Sequence, residues 1–271
     1  MRLEGRIKQA GTLLSLLAHH PTEALQITRG EVVRRADNSF RRSGHYEALE
    51  WPELLPTLSV VLQGPIGRFL GEAAAAEMEF EINEAIHRMG THVPFPIGYN
   101  ADLSMAHFCY ALCRATKPTT VVETGVAYGV TSAFILRALA ANGKGTLHSV
   151  DLPPLGWHAE DFVGCLIPDR LRGQWMLHRG ASKRVLPSLL PSVGEVDIFI
   201  HDSQHTYRQM LWEFRTVRPY FNRFGILVAD DVQGNVAFEE WTRLAKPIFC
   251  ATVFQPGKGN ICGICVFDER A

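Results

Sequence analysis

With 271 residues, 46% of them hydrophobic, and a formal charge of −1, the chain has the length for one generous core or two smaller ones and the balance of a soluble globular protein. That balance excludes the electrostatic footprint of a nucleic-acid binder. The early apolar run "GTLLSLLA" is far short of the ~20 residues a membrane-spanning helix needs and leads into "HHP" rather than a small-residue cleavage site, so neither a membrane partner nor export is expected and a cytoplasmic protein is.

The first 95 residues carry helical patterning. "GRIKQAGTLLSLLAHH" places apolar residues at helical spacing, and "GEAAAAEMEFEINEAIHRMG" is a strong helix former closed by a glycine. Between them, "RGEVVRRADNSFRR" gathers Arg29, Arg34, Arg35, Arg41 and Arg42, which reads as a solvated arginine face rather than an RNA stripe. "EWPELLPTLSVVLQGPIGRF" is broken by three prolines and two glycines and reads as irregular. "THVPFPIGYN" then looks like a linker, followed by a helix over residues 104–116. These signals divide the chain into a helical region at 1–95, a cap or oligomer contact of an expected homo-oligomer (a dimer), and a main domain at 96–271.

From residue 119 strands alternate with helices, the sequence form of a parallel sheet with crossover helices. The strands are "TVVET", "TLHSVD", "QWMLHRG", "VDIFIHD" and "GILVADD", nearly continuous apolar runs, as expected where both faces of a sheet are covered. The helices between them are "TSAFILRALAANG", "SKRVLPSLL" and "YRQMLWEFRTVRPYF", the last with Met210, Leu211, Phe214 and Val217 on one face. "IFCATVF" and "ICGICVFD", joined by "QPGKGN", form an antiparallel hairpin. Six cysteines do not make a disulfide scaffold in a chain this long. In a strand, Cys262 and Cys265 of "CGIC" point to opposite faces, which argues against a shared zinc or disulfide. His148 and His178, inside strands, read as core histidines.

Ligands of an open parallel sheet bind beyond the carboxyl ends of its strands. The first strand is followed there by "ETGVAYGVTS", with Glu123, Gly125, Gly129 and Thr131. Asp151 ends the second strand and "GAS", residues 180–182, the third. The fourth delivers His201, Asp202 and His205, and the fifth Asp230 and Asp231. A glycine-rich turn opening a helix suits any nucleotide, because small residues admit a ligand to the backbone and the helix N-terminus offers free N–H groups. Asp151, at the end of the next strand, can accept ribose hydroxyls. The loop spacing E-x-G-x-x-x-G departs from G-x-G-x-x-G and favours a nucleoside without a pyrophosphate, which also disfavours an NAD-dependent oxidoreductase.

In order, "VVETGVAYGVTS", Asp151, "GAS", "FIHDSQH" and "GILVADDV" with the terminal hairpin resemble a class I S-adenosylmethionine-dependent methyltransferase. More narrowly, they resemble the metal-dependent O-methyltransferases, catechol O-methyltransferase and the bacterial enzymes that methylate antibiotic sugars, over roughly residues 95–268. The resemblance implies an α/β fold with a Rossmann-like seven-stranded sheet, mostly parallel with a terminal antiparallel hairpin, behind the N-terminal helical region. It implies that Glu123 and Gly125 lie against the methionine part of S-adenosylmethionine, that Asp151 holds the ribose and that Ser182 sits at the adenine edge, with Thr131 and Asp202 also bordering the cofactor. Asp202, Asp230 and Asp231 match the family's three metal ligands, with Asp231 standing where the catechol enzyme has asparagine. His205 stands where the antibiotic-sugar enzymes carry a histidine base and the catechol enzyme a lysine.

The residue chemistry runs the same way. Carboxylates converging at neighbouring strand ends repel, so either some take up protons or a cation joins them. All-oxygen ligation suits a hard ion such as Mg²⁺. Taken alone, Asp230-Asp231 reads as a helix cap or solvated loop; beside Asp202 it reads as a ligand pair. If the chain turns into a helix after Asp202, His205 lies one turn away on the same side, within reach of a bound hydroxyl; a capping or surface histidine is the plain alternative. His201 is expected to point away. Trp157, His158 and Phe162 in "LPPLGWHAEDFVG" suit a lid or pocket wall. The expectation is a metal-dependent O-methyltransferase acting on a small-molecule hydroxyl, on a sugar or glycosylated natural product. A metal-independent methyltransferase and a non-catalytic nucleotide-binding protein on the same fold stand as alternatives.

Overall fold

Alternating burial along the apolar runs shows what they build: Val121 faces one hydrophobic cluster and Val122 the other, and Ile198 and Phe199 repeat the pattern on a second strand. The computed structural model describes residues 21–37, 44–90, 93–153 and 158–268. In it one sheet of seven strands runs in the order β3-β2-β1-β4-β5-β7-β6. The strands are β1 (Thr120–Thr124), β2 (Thr146–Asp151), β3 (Trp175–Arg179), β4 (Val196–His201), β5 (Phe221–Ala229), β6 (Phe249–Gln255) and β7 (Asn260–Val266). The first five are parallel, and β7 is antiparallel to both β5 and β6. The parallel sheet and terminal hairpin expected from the sequence are therefore both present.

The helices, in chain order, are α1 (Pro21–Asp37), α2 (Trp51–Val61), α3 (Ile66–Leu70), α4 (Ala73–Met89), α5 (Leu103–Thr116), α6 (Val130–Asn142), α7 (Ala159–Phe162), α8 (Ser182–Val193), α9 (Tyr207–Val217) and α10 (Ala237–Ala245). α5 and α6 cover one face of the sheet, and α8, α9 and α10 cover the other. Leu54, Leu58, Ile66, Met78 and Ile82, from α2, α3 and α4, enter the same cluster as α5 and α6. Each such side chain stabilises the fold by about 1.5–3 kcal/mol relative to exposure.

The structure departs from expectation in several places. Residues 50–69, expected as irregular chain, hold α2 and all but the last residue of α3. Pro52 sits in the first turn of α2, where its missing donor costs nothing. Pro56 forfeits one bond early in the helix, and burial of Leu54 and Leu58 outweighs it. The Glu53 carboxylate closes the N-terminus by accepting the Glu50 N–H at 2.9 Å. At the other end of the chain, α9 stops at Val217, and β5 starts at Phe221, earlier than the apolar run suggested. The stretch expected as a linker is packed: Phe95 stacks on Tyr128 at 4.1 Å between ring centres. His148 and His178 are half-buried on β2 and β3, with ring nitrogens 3.1 Å apart, not core residues. Consistent with the opposite faces expected of Cys262 and Cys265, Cys265 stands across the hairpin from Cys250, the two free thiols with sulfurs 3.5 Å apart. The helix expected at 5–20, the arginine-face side chains and Trp157 lie outside the described residues. Among the described residues, no helix is long and apolar enough to cross a membrane.

Candidate active site

Backbone bonds continue past the strand ends and set the crevice. Gly125 N–H donates to the Val150 carbonyl at 2.9 Å, Asp202 N–H to Thr124 at 2.8 Å, Asp230 N–H to His201 at 2.8 Å and Gly180 N–H to Asp151 at 2.8 Å. Each strand tip is thus held to its neighbour where the chain leaves the sheet. Gly125, at φ +87°, passes so close to the carbonyl of Asp202 that a side chain there would fall on it. Gly129, at φ +93°, caps α6 against Gly164 and Ile167. Both glycines of the loop are required by the approach of other backbone and side chains.

The loop side chains separate into two layers. Asp151 Oδ2 accepts the N–H groups of Val126 at 2.6 Å and Ala127 at 3.1 Å, so the carboxylate fixes the glycine loop while its other oxygen stays outside that pair. Burial raises the Asp151 carboxyl against the pull of those two bonds. The Thr131 hydroxyl, in the first turn of α6, is buried without a partner. A nucleoside cofactor fits these features: a carboxylate beside the loop, an unsatisfied hydroxyl and the free N–H groups of a helix start. Glu123 is in the lower layer. Its carboxylate accepts the hydroxyls of Ser132 and, at 2.5 Å, Ser149, and burial pushes it up to about 7 despite both bonds. Ser182 is buried and accepts the Gln209 amide at 2.6 Å.

On the far side of Gly125 stands the acidic cluster. Ligand atoms of Asp202, His205 and Asp230 all lie within 4.8 Å of one another. His205 Nε2 is 3.6 Å from Asp202 Oδ1 and 3.8 Å from Asp231 Oδ2. Asp231 therefore adjoins the cluster through His205 and is not one of the tightest trio. Its backbone sits at φ +51°, where the chain leaves β5 into a single turn of 3₁₀ helix. Burial, then the charge of Asp230, drives the Asp202 carboxyl well above the usual range, with Lys258 pulling the other way. Burial, then His201, lowers His205, which keeps its imidazole neutral near pH 7. Asp230 Oδ2 and Gln255 Oε1 are buried without partners. Repelling carboxylates with unsatisfied buried oxygens are what a cation would satisfy, so the residues fit a hard divalent ion.

A hub that the sequence reading passed over supports this cluster from below. Glu213, on α9 and fully buried, accepts from Thr124 Oγ1 at 2.6 Å, Ser203 Oγ at 2.9 Å and Gln209 Nε2 at 2.7 Å, and pairs with His201 Nδ1 at 2.6 Å. Burial raises its carboxyl, but His201 and the donors outweigh that and bring it to about 2. His201 thus points to Glu213, and its ring meets that of His205 edge-on at 5.5 Å. Gln255, at the end of β6, is the other missed residue: its amide donates to Asp230 Oδ1 at 2.5 Å. Phe162, in the expected lid, packs edge-on to Tyr128 at 6.3 Å, and His158 is exposed beside Asp161 at 3.2 Å.

Residues 122–232, which hold the glycine loop, Asp151, Asp202 and the β5 tip, match a family model described as a methyltransferase domain. Solved structures share the fold. An O-methyltransferase from Bacillus cereus in complex with S-adenosylhomocysteine is similar with TM-score 0.56 and 12% identity, over 80% of this chain and 97% of that one. An O-methyltransferase from Streptomyces achromogenes involved in tomaymycin synthesis, in complex with S-adenosylmethionine, gives 0.53 and 14%, over 79% and 96%. An S-adenosylhomocysteine-bound methyltransferase from Podospora anserina gives 0.53 and 13%, over 83% and 99%. No curated protein sequence matches the chain.

Proposed function

We propose that this chain, which carries a methyltransferase domain at residues 122–232 within the fold of class I S-adenosylmethionine-dependent enzymes, methylates a hydroxyl of a small molecule, a sugar or glycosylated natural product, with the help of a divalent cation such as Mg²⁺. The observation that carries the metal-dependent reading is the convergence of Asp202, His205 and Asp230 beyond the tips of β4 and β5. In the transfer the acceptor oxygen forms its bond to the methyl carbon as the carbon–sulfur bond breaks, the sulfonium becomes a neutral thioether, and the hydroxyl proton goes to His205 Nε2.

A neutral alcohol is a poor nucleophile. With water as its stand-in, the gap to a histidine near 6.5 is roughly 9 pKa units, or about 12 kcal/mol. A divalent cation, when bound, supplies the missing stabilisation of negative charge on the acceptor oxygen. Asp202, Asp230 and Asp231 would hold it. His205, kept neutral by burial and by His201, takes the proton. Asp151 orients the glycine loop and offers its second oxygen to the ribose, and Thr131 and Ser182 border the nucleoside. The alcohol preference rests on the histidine at position 205. We also propose that the cap formed by residues 1–95 walls the acceptor pocket or joins two copies.

His205→Ala should lower the turnover number by about 10²–10⁴-fold while leaving S-adenosylhomocysteine affinity within a few-fold. An active variant would remove the base from this scheme. The place of His205 within the trio favours a second reading, in which His205 is itself a ligand. Electron spin-echo spectroscopy with bound Mn²⁺ separates them: nitrogen modulation that disappears in His205→Ala means ligation, and its absence from the wild type means a base.

A further inference from the structure

We propose that Gln255 is a member of the cation site, holding Asp230 with its amide N–H and supplying a neutral oxygen donor with its carbonyl, an inference that rests on the metal-dependent reading above. Gln255 is completely buried at the end of β6, where the hairpin returns toward the tip of β5. Its Nε2 donates to Asp230 Oδ1 at 2.5 Å. That bond fixes which way the amide points, because the flipped amide would set two oxygens against each other. The opposite atom, Oε1, is left buried with no partner, and so is Asp230 Oδ2.

Amide geometry puts Oε1 on the order of 2.2 Å from Nε2. With the 2.5 Å bond, Oε1 therefore lies within about 5 Å of Asp230 Oδ1. A glutamine serving only to lock the hairpin would have its carbonyl satisfied by backbone, as buried amides are. Two unsatisfied oxygens on one hydrogen-bonded pair, beside Asp202 and His205, describe half of an oxygen-lined cation site. A neutral donor has a further use there. It adds an oxygen without adding a further negative charge to the clustered carboxylates.

The test is titration of the metal-free full chain with Mn²⁺, followed by calorimetry, for the wild type, Gln255→Ala and Gln255→Glu, with S-adenosylhomocysteine affinity and thermal melting recorded for each. Gln255→Ala should weaken Mn²⁺ binding about 10–100-fold. Gln255→Glu keeps the size and the donor oxygens; it should melt lower than the wild type without metal, from added repulsion, and regain the difference with Mn²⁺. S-adenosylhomocysteine affinity should stay within a few-fold in both, which shows an intact fold. Mn²⁺ affinities equal to the wild type's in both variants would overturn the role of Gln255 and leave the metal reading standing. Loss of binding in Gln255→Ala with no recovery by metal in Gln255→Glu would overturn the donor role. A wild type that binds no Mn²⁺ would overturn the metal reading itself.

Discussion

Glu123 and Glu213 are both fully buried carboxylates, and they respond to pH in opposite directions. Glu123 is raised to about 7, from an unfolded value near 4.3. The folded protein keeps this proton where the unfolded chain releases it, so the contribution is most favourable below the unfolded value and is lost as pH rises toward 7. Glu123→Gln keeps an oxygen to accept Ser132 and Ser149. It should melt above the wild type at pH 8, by the equivalent of on the order of 3 kcal/mol, and level with it near pH 4.5. Equal melting at both pH values would show that the carboxyl is not held up. Glu213, lowered to about 2 by His201 and its donors, stabilises the fold above the unfolded value and loses that contribution as pH falls toward 2. Its role was hidden in the sequence because Met210, Leu211, Phe214 and Val217 mark the buried face of α9 by type, whereas Glu213 is buried through polar partners on β1, β4 and the loop after it. Gln209, one turn earlier on the same side, was the available signal.

At the scale of elements, the glycine loop and the β4 tip are one unit. Gly125→Ala would place a methyl on the carbonyl of Asp202 and force a positive φ on alanine. The backbone term alone is about 1–2 kcal/mol. The variant should melt lower and lose both S-adenosylhomocysteine and Mn²⁺ affinity, since the displaced segment carries Asp202. Unchanged Mn²⁺ binding would show that the two tips are independent. β1, β2 and β4 were legible because parallel strands covered on both faces read as apolar runs; β3, at the edge of the sheet with Met176 and Leu177 exposed, was legible by residue type alone. The start of β5 was not, since Asn222 is only partly buried and Arg223 and Phe224 are exposed. α2 was hidden by its prolines, because the cost of Pro56 is local and visible while the gain from Leu54 and Leu58 comes from a core shared with residues far along the chain. Gln255 carried no signal: a glutamine beside a hairpin turn belongs to no motif, and only the sheet order, with β6 one strand beyond β7 from β5, brings it to Asp230.

In the whole molecule, the sheet separates two apolar clusters and collects its polar chemistry beyond the carboxyl ends of its parallel strands. α2, α3 and α4 share a core with α5 and α6, so a stretch without a readable motif supports the domain that has one. The central claim is that a divalent cation at the tips of β4 and β5 makes an alcohol reactive. Its most direct measurement is the rate of labelled methyl transfer from S-adenosylmethionine to an alcohol-bearing acceptor, in EDTA and then with Mg²⁺ restored in excess, with S-adenosylhomocysteine binding followed in parallel. This account predicts turnover lost in EDTA and regained with Mg²⁺ while the nucleoside stays bound throughout; full turnover in EDTA would contradict it.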